Sequence, residues 1–177
     1  MAFTVETGSG VAGANAYIDV AYADSYHVDR NNKLWVGTDA VKQAAIIRAS
    51  DYLETRWGDK FLGLPQYPDT PQGLSWPRLG VFDGYGRTVT GIPENLKRAV
   101  AEYALRALSA ELSPDPVYDE TGRTVTSKRE KIGPIETEVS YNFNGTFAIT
   151  RAYPHADRLL RGLIAGGSTM GGRVFRA

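Results

Sequence analysis

The spacing of apolar residues predicts two long helices, of which the first runs from about Asp39 to Trp57. Its apolar residues recur every three or four positions, which places them on one helix face. Thr38 or Asp39 is a suitable N-cap, because a short oxygen-bearing side chain can accept a hydrogen bond from the first turn. The predicted buried stripe consists of Ala45, Ile46, Ala49, Tyr52 and Leu53. The residues expected to face water are Gln43, Ser50, Asp51 and Glu54.

The second long helix is predicted from Pro93 to about Leu112. Proline is preorganised for a first helical turn, Glu94 suits the positive end of the helix dipole, and Ser113-Pro114 ends the pattern. The expected buried face consists of Leu96, Ala99, Val100, Tyr103, Ala107 and Leu108.

Two shorter helices complete the predicted helical body. Asp19 can cap a helix from Val20 to His27. Pro154 precedes a helix from about His155 to Ile164, which closes at Gly166-Gly167. The apolar anchors of this last helix are Leu159, Leu160 and Leu163.

Two segments break the helical repeat. Residues 57–92 are rich in glycine, proline and aromatic residues, and they form either an ordered loop or a moving one; the rings favour order. Residues 124–150 include an alternating run, Glu136 to Tyr141, which predicts a β-hairpin or an extended arm. The glycine-rich tail, 166–177, is expected to be flexible. The predicted fold is therefore mainly α: a compact bundle of about four helices, a β-hairpin or extended arm, and a flexible C-terminal tail.

Composition narrows the function classes. The chain has 177 residues, 20 basic and 20 acidic side chains, two histidines and no cysteine. This length suits a single domain, residues 1–177, with a helical body at about 19–113 and 154–165. The lack of thiols excludes disulfides, thiolate nucleophiles and thiolate zinc sites. We see neither an export signal nor a membrane-length apolar run, so we expect a soluble protein without a membrane partner.

Charge is spread unevenly along the chain. Residues 1–30 carry four acids and one base, whereas residues 151–177 carry five arginines and one acid. This polarity suits head-to-tail contact between identical subunits, or a basic tail against an acidic partner. A solvated surface with chance asymmetry is the other interpretation.

Gly8, Gly10 and Gly13 match the dinucleotide-binding pattern G-x-G-x-x-G. That pattern binds a pyrophosphate only where a strand precedes it and a long helix opens on the last glycine. The next predicted helix is short, so a glycine turn after an N-terminal strand is the better interpretation, and we predict no cofactor.

The paired carboxylates lie among arginines or in polar loops, and no motif links either histidine to a nucleophilic serine. We therefore predict no catalytic site, no metal site and no enzymatic activity.

Basic and aromatic residues are interleaved in two stretches, an arrangement that can follow a phosphate backbone and stack bases. The first stretch contains Tyr118, Arg123, Lys128, Arg129, Lys131 and Tyr141. The second contains Arg151, Tyr153, Arg158, Arg161, Arg173, Phe175 and Arg176. The chain as a whole is neutral, unlike most dedicated nucleic-acid binders. Subunit contacts made by the same arginines are the alternative interpretation.

The order and spacing of several motifs resemble a phage protein family often labelled DnaT-like, whose members look like head-tail connectors. The motifs span nearly the whole chain: Phe3–Gly10, Ala14–Ile18, Ala23–His27, Ala49–Leu53, Gly73–Arg78, Ile92–Ala99, Lys128–Ile135 and Tyr153–Pro154.

This resemblance implies a connector, also called an adaptor or head-completion protein, in the neck of a tailed phage. Such a subunit would form a ring, expected to be a dodecamer, under the portal and extend the DNA channel. Its partners would be copies of itself, the portal protein, a downstream neck or tail protein, and genomic DNA passing without sequence-specific contact. It would be made in the bacterial host cytoplasm and reside in the virion. The DnaT label itself implies single-stranded DNA binding during replication, and this is the alternative function.

The connector hypothesis assigns site residues by segment. Portal or subunit contacts are expected from Tyr153, Arg158, Arg161, Arg173, Phe175 and Arg176. Arm contacts are expected from Lys128, Arg129, Lys131, Ile132 and Ile135. Trp76, Pro77 and Arg78 are expected to hold the long loop against the body.

Overall fold

A computed structural model describes residues 2–69, 71–115 and 151–166, together with the backbone of residues 125–131 and 136–141. The predicted flexible tail, from residue 167 onwards, lies outside the described residues. The helices within them are α1 (Val20–Val28), α2 (Asp39–Trp57), α3 (Glu94–Ala107) and α4 (Pro154–Leu159). The strands are β1 (Leu64–Pro65), β2 (Arg78–Leu79), β3 (Val125–Lys131) and β4 (Glu136–Tyr141). The prediction of a mainly α fold with a β-hairpin is confirmed.

The chain divides into two compact units. The first comprises residues 1–112 and 152–177 and carries all four helices and the antiparallel pair β1–β2. The second comprises residues 113–151 and carries the antiparallel hairpin β3–β4. Within that hairpin Lys131 pairs with Glu136 and Val125 with Tyr141, with a register irregularity between Val125 and Ser127.

Helix α1 begins at its predicted N-cap, and helix α2 begins at Thr38, one of its two predicted N-caps. The Asp19 side chain accepts a hydrogen bond from the Tyr22 amide at 2.7 Å, and the Thr38 hydroxyl accepts one from the Val41 amide at 3.4 Å. Each cap satisfies an amide that lacks a partner inside the helix. Local sequence is sufficient to fix where these two helices start.

The other two helices are shorter than predicted. Helix α3 ends at Ala107 rather than Leu112, and the Ser109 hydroxyl donates to the Arg106 carbonyl at 3.1 Å, which satisfies a helix-end acceptor. Helix α4 ends at Leu159 rather than Ile164, and the backbone of Ile164 forms an antiparallel bridge with Phe61. A residue paired in this way cannot continue the helical hydrogen-bond ladder.

Helices α2 and α3 pack against each other and form the centre of the core of the first unit, and α4 packs on α3. All five residues of the predicted α2 stripe are buried. The facing part of α3 is rich in small side chains, which let two helices approach closely. Its buried alanines are Ala99, Ala101, Ala104 and Ala107.

Two polar residues of α2 that were predicted to face water do not. Ser50 is fully buried, and its hydroxyl accepts a hydrogen bond from the Tyr17 amide at 3.4 Å. The Glu54 carboxylate accepts hydrogen bonds from the hydroxyls of Tyr17 and Ser75 and from the Ser75 amide. The prediction fails here because segments distant in sequence cover this side of α2 and supply polar partners.

The segment 57–92 follows a defined path that is organised by one arginine. The Arg78 guanidinium donates to the carbonyls of Leu62 (2.8 Å), Gly63 (2.7 Å), Phe61 (3.3 Å) and Ser75 (3.3 Å). Its five donors can satisfy several carbonyls at once, which the single ammonium group of a lysine cannot do in this geometry.

The two residues before Arg78 are buried. Trp76 is fully buried and packs edge-to-face on Phe61, with ring centroids 5.8 Å apart, and the Trp76–Pro77 peptide is cis. Trp76 and Pro77 therefore insert from the long segment into the core of the first unit, and Arg78 follows them.

Candidate functional site

An open cleft lies beside the C-terminal end of α2 and has a volume of about 440 Å³. We call it the Trp57 cleft. The residues that matter for its chemistry are Trp57, Pro154, Asp157, Arg158, Arg161 and Ile164. Both Arg158 and Arg161 were singled out from the sequence as basic residues of a nucleic-acid or subunit contact.

Backbone pairing holds the walls of the cleft together. Phe61 and Ile164 form an antiparallel bridge, the Leu62 amide donates to the Leu163 carbonyl at 2.9 Å, and the Ala165 amide donates to the Lys60 carbonyl at 2.8 Å. The segment that follows α4 is therefore fixed beside the end of α2, more than a hundred positions earlier in the chain.

The indole of Trp57 is positioned by a chain of hydrogen bonds. Its Nε1 donates to the Tyr103 hydroxyl at 3.2 Å, and that hydroxyl donates to Asp157 Oδ1 at 2.6 Å. Burial, together with the hydrogen bond to Asp157, raises the pKa of Tyr103 well above its ordinary value, so the hydroxyl stays protonated. The Nε1 of the half-buried Trp57 ring is thus already engaged in a hydrogen bond within the protein.

Positive charge surrounds this ring. The Arg56 guanidinium carbon lies 4.9 Å, and the Lys60 ammonium nitrogen 5.3 Å, from the ring centroid of Trp57. Asp157, the acid in the cleft wall, forms an ion pair with Arg56 at 3.1 Å. That pairing offsets the negative charge of Asp157.

Arg158 and Arg161 supply the charge that faces solvent. Both are exposed, and no acidic side chain lies within ion-pair distance of either in the part of the chain that the structure describes. An aromatic side chain beside unpaired guanidinium groups can accept a planar ring and an anion together, which is the chemistry of a nucleotide. Because the cleft is open, it can accept a polymer as well as a single nucleotide.

Of the other predicted contact residues of the C-terminal region, Tyr153 does not line the cleft. Tyr153 is buried, with its ring centroid 5.7 Å from that of Tyr52 and 5.9 Å from that of Tyr103, and its hydroxyl donates to the Leu112 carbonyl at 3.1 Å. It belongs to the core of the first unit. Arg173, Phe175 and Arg176 lie outside the described residues.

The predicted arm residues are described only in part. Lys128, Arg129 and Lys131 lie on β3, for which the structure gives the backbone pairing alone. Ile132 and Ile135 lie outside the described residues, as do Tyr118 and Arg123.

The sequence does not single out Trp57 and Lys60 as site residues, because Trp57 is one aromatic residue among several at the start of a long segment. The available signal was the sequence Arg56-Trp57-Gly-Asp-Lys60 at the end of a helix. A large ring at a helix end, with a cation on each side of it in sequence, cannot be fully buried without burying charge.

The glycine motif near the N-terminus already contains an anion. The buried Glu6 carboxylate accepts hydrogen bonds from the amides of Gly8 (2.8 Å), Gly10 (3.0 Å) and Val11 (2.7 Å). Successive amides that converge in this way form an anion-binding concavity. The donors that a pyrophosphate would require are therefore engaged by the protein's own side chain.

The described residues contain neither a candidate metal site nor a membrane-spanning helix. No group of three or more histidine, aspartate and glutamate side chains there is arranged to hold a metal ion. None of the helices described is both long enough and apolar enough to span a membrane.

Comparison with known proteins identifies a family. A family described as "Putative DnaT-like ssDNA binding protein" matches residues 1–177. No curated protein and no solved structure matches the chain. The resemblance to a DnaT-like family drawn from the sequence motifs is confirmed.

The family match overturns the connector interpretation. The expected virion neck role, the dodecameric ring, and the portal, tail and channel-DNA partners were wrong, since the matching family is described by single-stranded DNA binding. The error has a physical origin: arginines that could mate with an acidic subunit surface suit a phosphate backbone equally well. Charge asymmetry along the chain does not distinguish the two partners.

Proposed function

Since this chain belongs to the DnaT-like single-stranded DNA-binding family, we propose that it binds single-stranded DNA without sequence preference and that the Trp57 cleft holds the strand. The observation that carries this proposal is the placement of the half-buried Trp57 ring beside Arg158 and Arg161. In the described part of the chain neither arginine has an acidic partner. We further propose that the protein has no enzymatic activity.

A base would stack on the ring of Trp57. Every base has a π-face, so stacking tolerates any sequence and contributes about 1–3 kcal/mol per base. The Nε1 of Trp57 already donates to the Tyr103 hydroxyl, so it does not read base edges. Because the indole N–H is already bound to Tyr103, the ring can contact a base only by stacking, which supports binding that is independent of sequence.

The phosphates would lie along Arg158 and Arg161. A guanidinium group presents a fork of donors that matches phosphate oxygens, and its charge is permanent. The Lys60 ammonium group is carried on a flexible stem and can follow a neighbouring phosphate. Local charge of this kind lets a chain of zero formal net charge bind a polyanion.

The test is the affinity of the full chain for fluorescently labelled oligo-dT, measured by anisotropy. We expect Trp57→Ala to weaken binding by about 5- to 150-fold, which corresponds to the loss of one base stack, and Trp57→Phe to retain most of the affinity. Leu34→Ala is the matched control, because Leu34 is 78 % exposed and lies outside the cleft. An unchanged Kd for folded Trp57→Ala would show that the cleft does not hold the strand.

The charge component is tested separately by the salt dependence of Kd. Removing one phosphate contact should reduce the slope of log K against log salt by about 0.7 for a single strand. We expect this reduction for Arg158→Ala and for Arg161→Ala. Arg48→Ala is the control, since Arg48 is an exposed arginine of α2 that does not line the cleft. Equal slopes for all three variants would exclude Arg158 and Arg161 as phosphate contacts.

A further inference from the structure

Two exposed aromatic side chains, Phe82 and Tyr85, lie on a paired turn that the Trp57 cleft does not include. Phe82 is 56 % exposed and Tyr85 is 87 % exposed. The turn is closed by an antiparallel bridge between Phe82 and Thr88 and by a hydrogen bond from the Val89 amide to the Val81 carbonyl at 2.9 Å. Both rings are therefore presented to solvent from a backbone that is itself paired.

Asp83 fixes the tip of this turn. Its Oδ1 accepts hydrogen bonds from the amides of Tyr85 (2.8 Å) and Arg87 (2.9 Å), and its Oδ2 accepts one from Arg87 Nε at 2.7 Å. The Asp83 amide donates to the Arg87 carbonyl at 2.9 Å, and the Gly86 amide donates to the Asp83 carbonyl at 3.0 Å. Asp83 and Arg87 form an ion pair through the contact between Oδ2 and Nε, so their charges offset each other and the Asp83 carboxylate offers little repulsion to an approaching anion.

A cation lies next to the more exposed ring. The Arg87 guanidinium carbon is 5.2 Å from the ring centroid of Tyr85, and the Arg87 side chain is 76 % exposed. A ring and a guanidinium group on one rigid turn favour a nucleobase and its phosphate over a purely apolar partner. The exposed rings on this ordered turn add little to the core and are accessible to a ligand.

The turn is connected to the Trp57 cleft by a short, packed stretch of backbone. Leu62 pairs with Leu163 behind the cleft, and Gly63 lies so close to Leu79 that a Cβ at Gly63 would collide with the Leu79 carbonyl oxygen. Arg78 binds the carbonyls of both Leu62 and Gly63. The segment 60–63 therefore supports the cleft on one side and the strand that leads into the turn on the other.

We infer that Phe82, Tyr85 and Arg87 form a second stacking site for single-stranded DNA, which a strand already held in the Trp57 cleft reaches when it is long enough. This inference rests on the proposed function. It predicts that the two sites respond differently to oligonucleotide length.

The experiment compares the affinities of the full chain for oligo-dT of about 6 and about 30 nucleotides, of which the longer exceeds the site of about 4–16 nucleotides of one single-strand binding domain. We expect Tyr85→Ala to weaken binding of the long strand by about 5- to 150-fold and to leave the short strand bound as before. Tyr85→Phe should keep the affinity, because the ring is retained. Leu34→Ala, which removes another strongly exposed apolar side chain elsewhere, should change neither value.

Two readouts identify what contacts the turn. Tyr85→Ala removes no charge, so the salt slope for the long strand should stay unchanged, whereas Arg87→Ala should reduce it by about 0.7. A long strand carrying 5-iododeoxyuridine should form a photo-adduct on Tyr85 or Phe82, mapped by mass spectrometry of the digested protein.

The outcomes separate this inference from the proposed function. If Trp57→Ala weakens binding while Tyr85→Ala does not, and no adduct forms on the turn, the second site is wrong and the cleft stands. If Tyr85→Ala weakens binding while Trp57→Ala does not, the cleft is wrong as the primary site. If the full chain binds neither strand, the proposed function itself is wrong. If Tyr85→Ala left the DNA affinity unchanged but abolished binding to another protein, the turn would be a protein-binding surface and the second DNA site would be wrong.

Discussion

The hydroxyl of Tyr103 on α3 donates to the carboxylate of Asp157 on α4 at 2.6 Å. The same hydroxyl accepts from Trp57 at the end of α2, so three helices meet at one phenolic oxygen. The position of the proposed stacking ring is therefore set by the core of the first unit. Loss of this oxygen should affect both stability and binding.

Replacing Tyr103 with phenylalanine should lower the free energy of unfolding by about 1–3 kcal/mol, because Trp57 Nε1 and Asp157 Oδ1 each lose a partner in a part-buried place. Urea unfolding at constant m-value measures the change. The control is Tyr22→Phe, whose hydroxyl donates to Glu94 at an exposed position and should matter less. Equal losses in the two variants would contradict the central role of Tyr103.

Arg78→Lys should destabilise the protein although it conserves charge. The guanidinium group serves four carbonyls, and a lysine ammonium cannot reach them all from one position. We expect a loss of about 1–3 kcal/mol, since several hydrogen bonds of about 0.5–1.5 kcal/mol each are weakened, and a lower Tm in thermal unfolding. Arg87→Lys serves as the comparison, since Arg87 is exposed and should tolerate the exchange. Equal Tm values for Arg78→Lys and Arg87→Lys would contradict the role of Arg78 in holding the long segment.

Gly73→Ala should be destabilising for a steric reason. A Cβ at Gly73 would lie 2.6 Å from the Ala14 amide nitrogen and 2.7 Å from the Ala14 carbonyl oxygen, and backbone atoms cannot swing away as a side chain can. Overpacking of this kind costs about 1–3 kcal/mol. Gly84→Ala is matched to it, because no atom lies within 4 Å of its added Cβ. Differential scanning calorimetry should show a lower Tm for the first variant alone.

Stability should fall as the pH is lowered from about 7 to about 5, because of His27. Its ring is buried, contacts the Ala101 carbonyl at 3.2 Å and Asn32 at 3.1 Å, and burial lowers the pKa of the imidazole. The hydrogen bond to the Ala101 carbonyl and the charges of Glu102 and Asp24 oppose this lowering of the pKa, whereas Arg30 adds to it.

The sign of the pH effect follows from proton linkage. In the unfolded chain His27 binds a proton as the pH falls through about 6.5, while the folded protein resists protonation until a lower pH. The unfolded state therefore binds more protons in this window, and acid favours unfolding. Urea midpoints at several pH values should show the decline, and His27→Gln should flatten it. A wild-type profile that is already flat would refute this assignment to His27.

Features that depend on neighbours in sequence could be predicted. The N-caps at Asp19 and Thr38 and the apolar stripe of α2 follow from local residue type and helical spacing. The hairpin was predicted for the same reason, from alternation along β4. Each of these signals is complete within about twenty residues, so no tertiary information is required.

Features that depend on distant partners could not be predicted. Ser50 and Glu54 are polar by type, and only the approach of Tyr17 and Ser75 removes them from water. The Trp57 cleft likewise depends on the pairing of Phe61 with Ile164. The sequence could single out the arginines of the cleft, but not the ring that they face.

The carboxylate of Glu6 acts as a built-in surrogate for phosphate, since it fills a cradle of amides that nucleotide-binding proteins keep vacant for their ligand. The spacing of the glycines therefore predicts a set of converging backbone amides but does not predict which anion binds to them. A glutamate two positions before the first glycine, as in Glu6-Thr-Gly8, is therefore a sequence feature that argues against a nucleotide-binding site at a G-x-G-x-x-G motif.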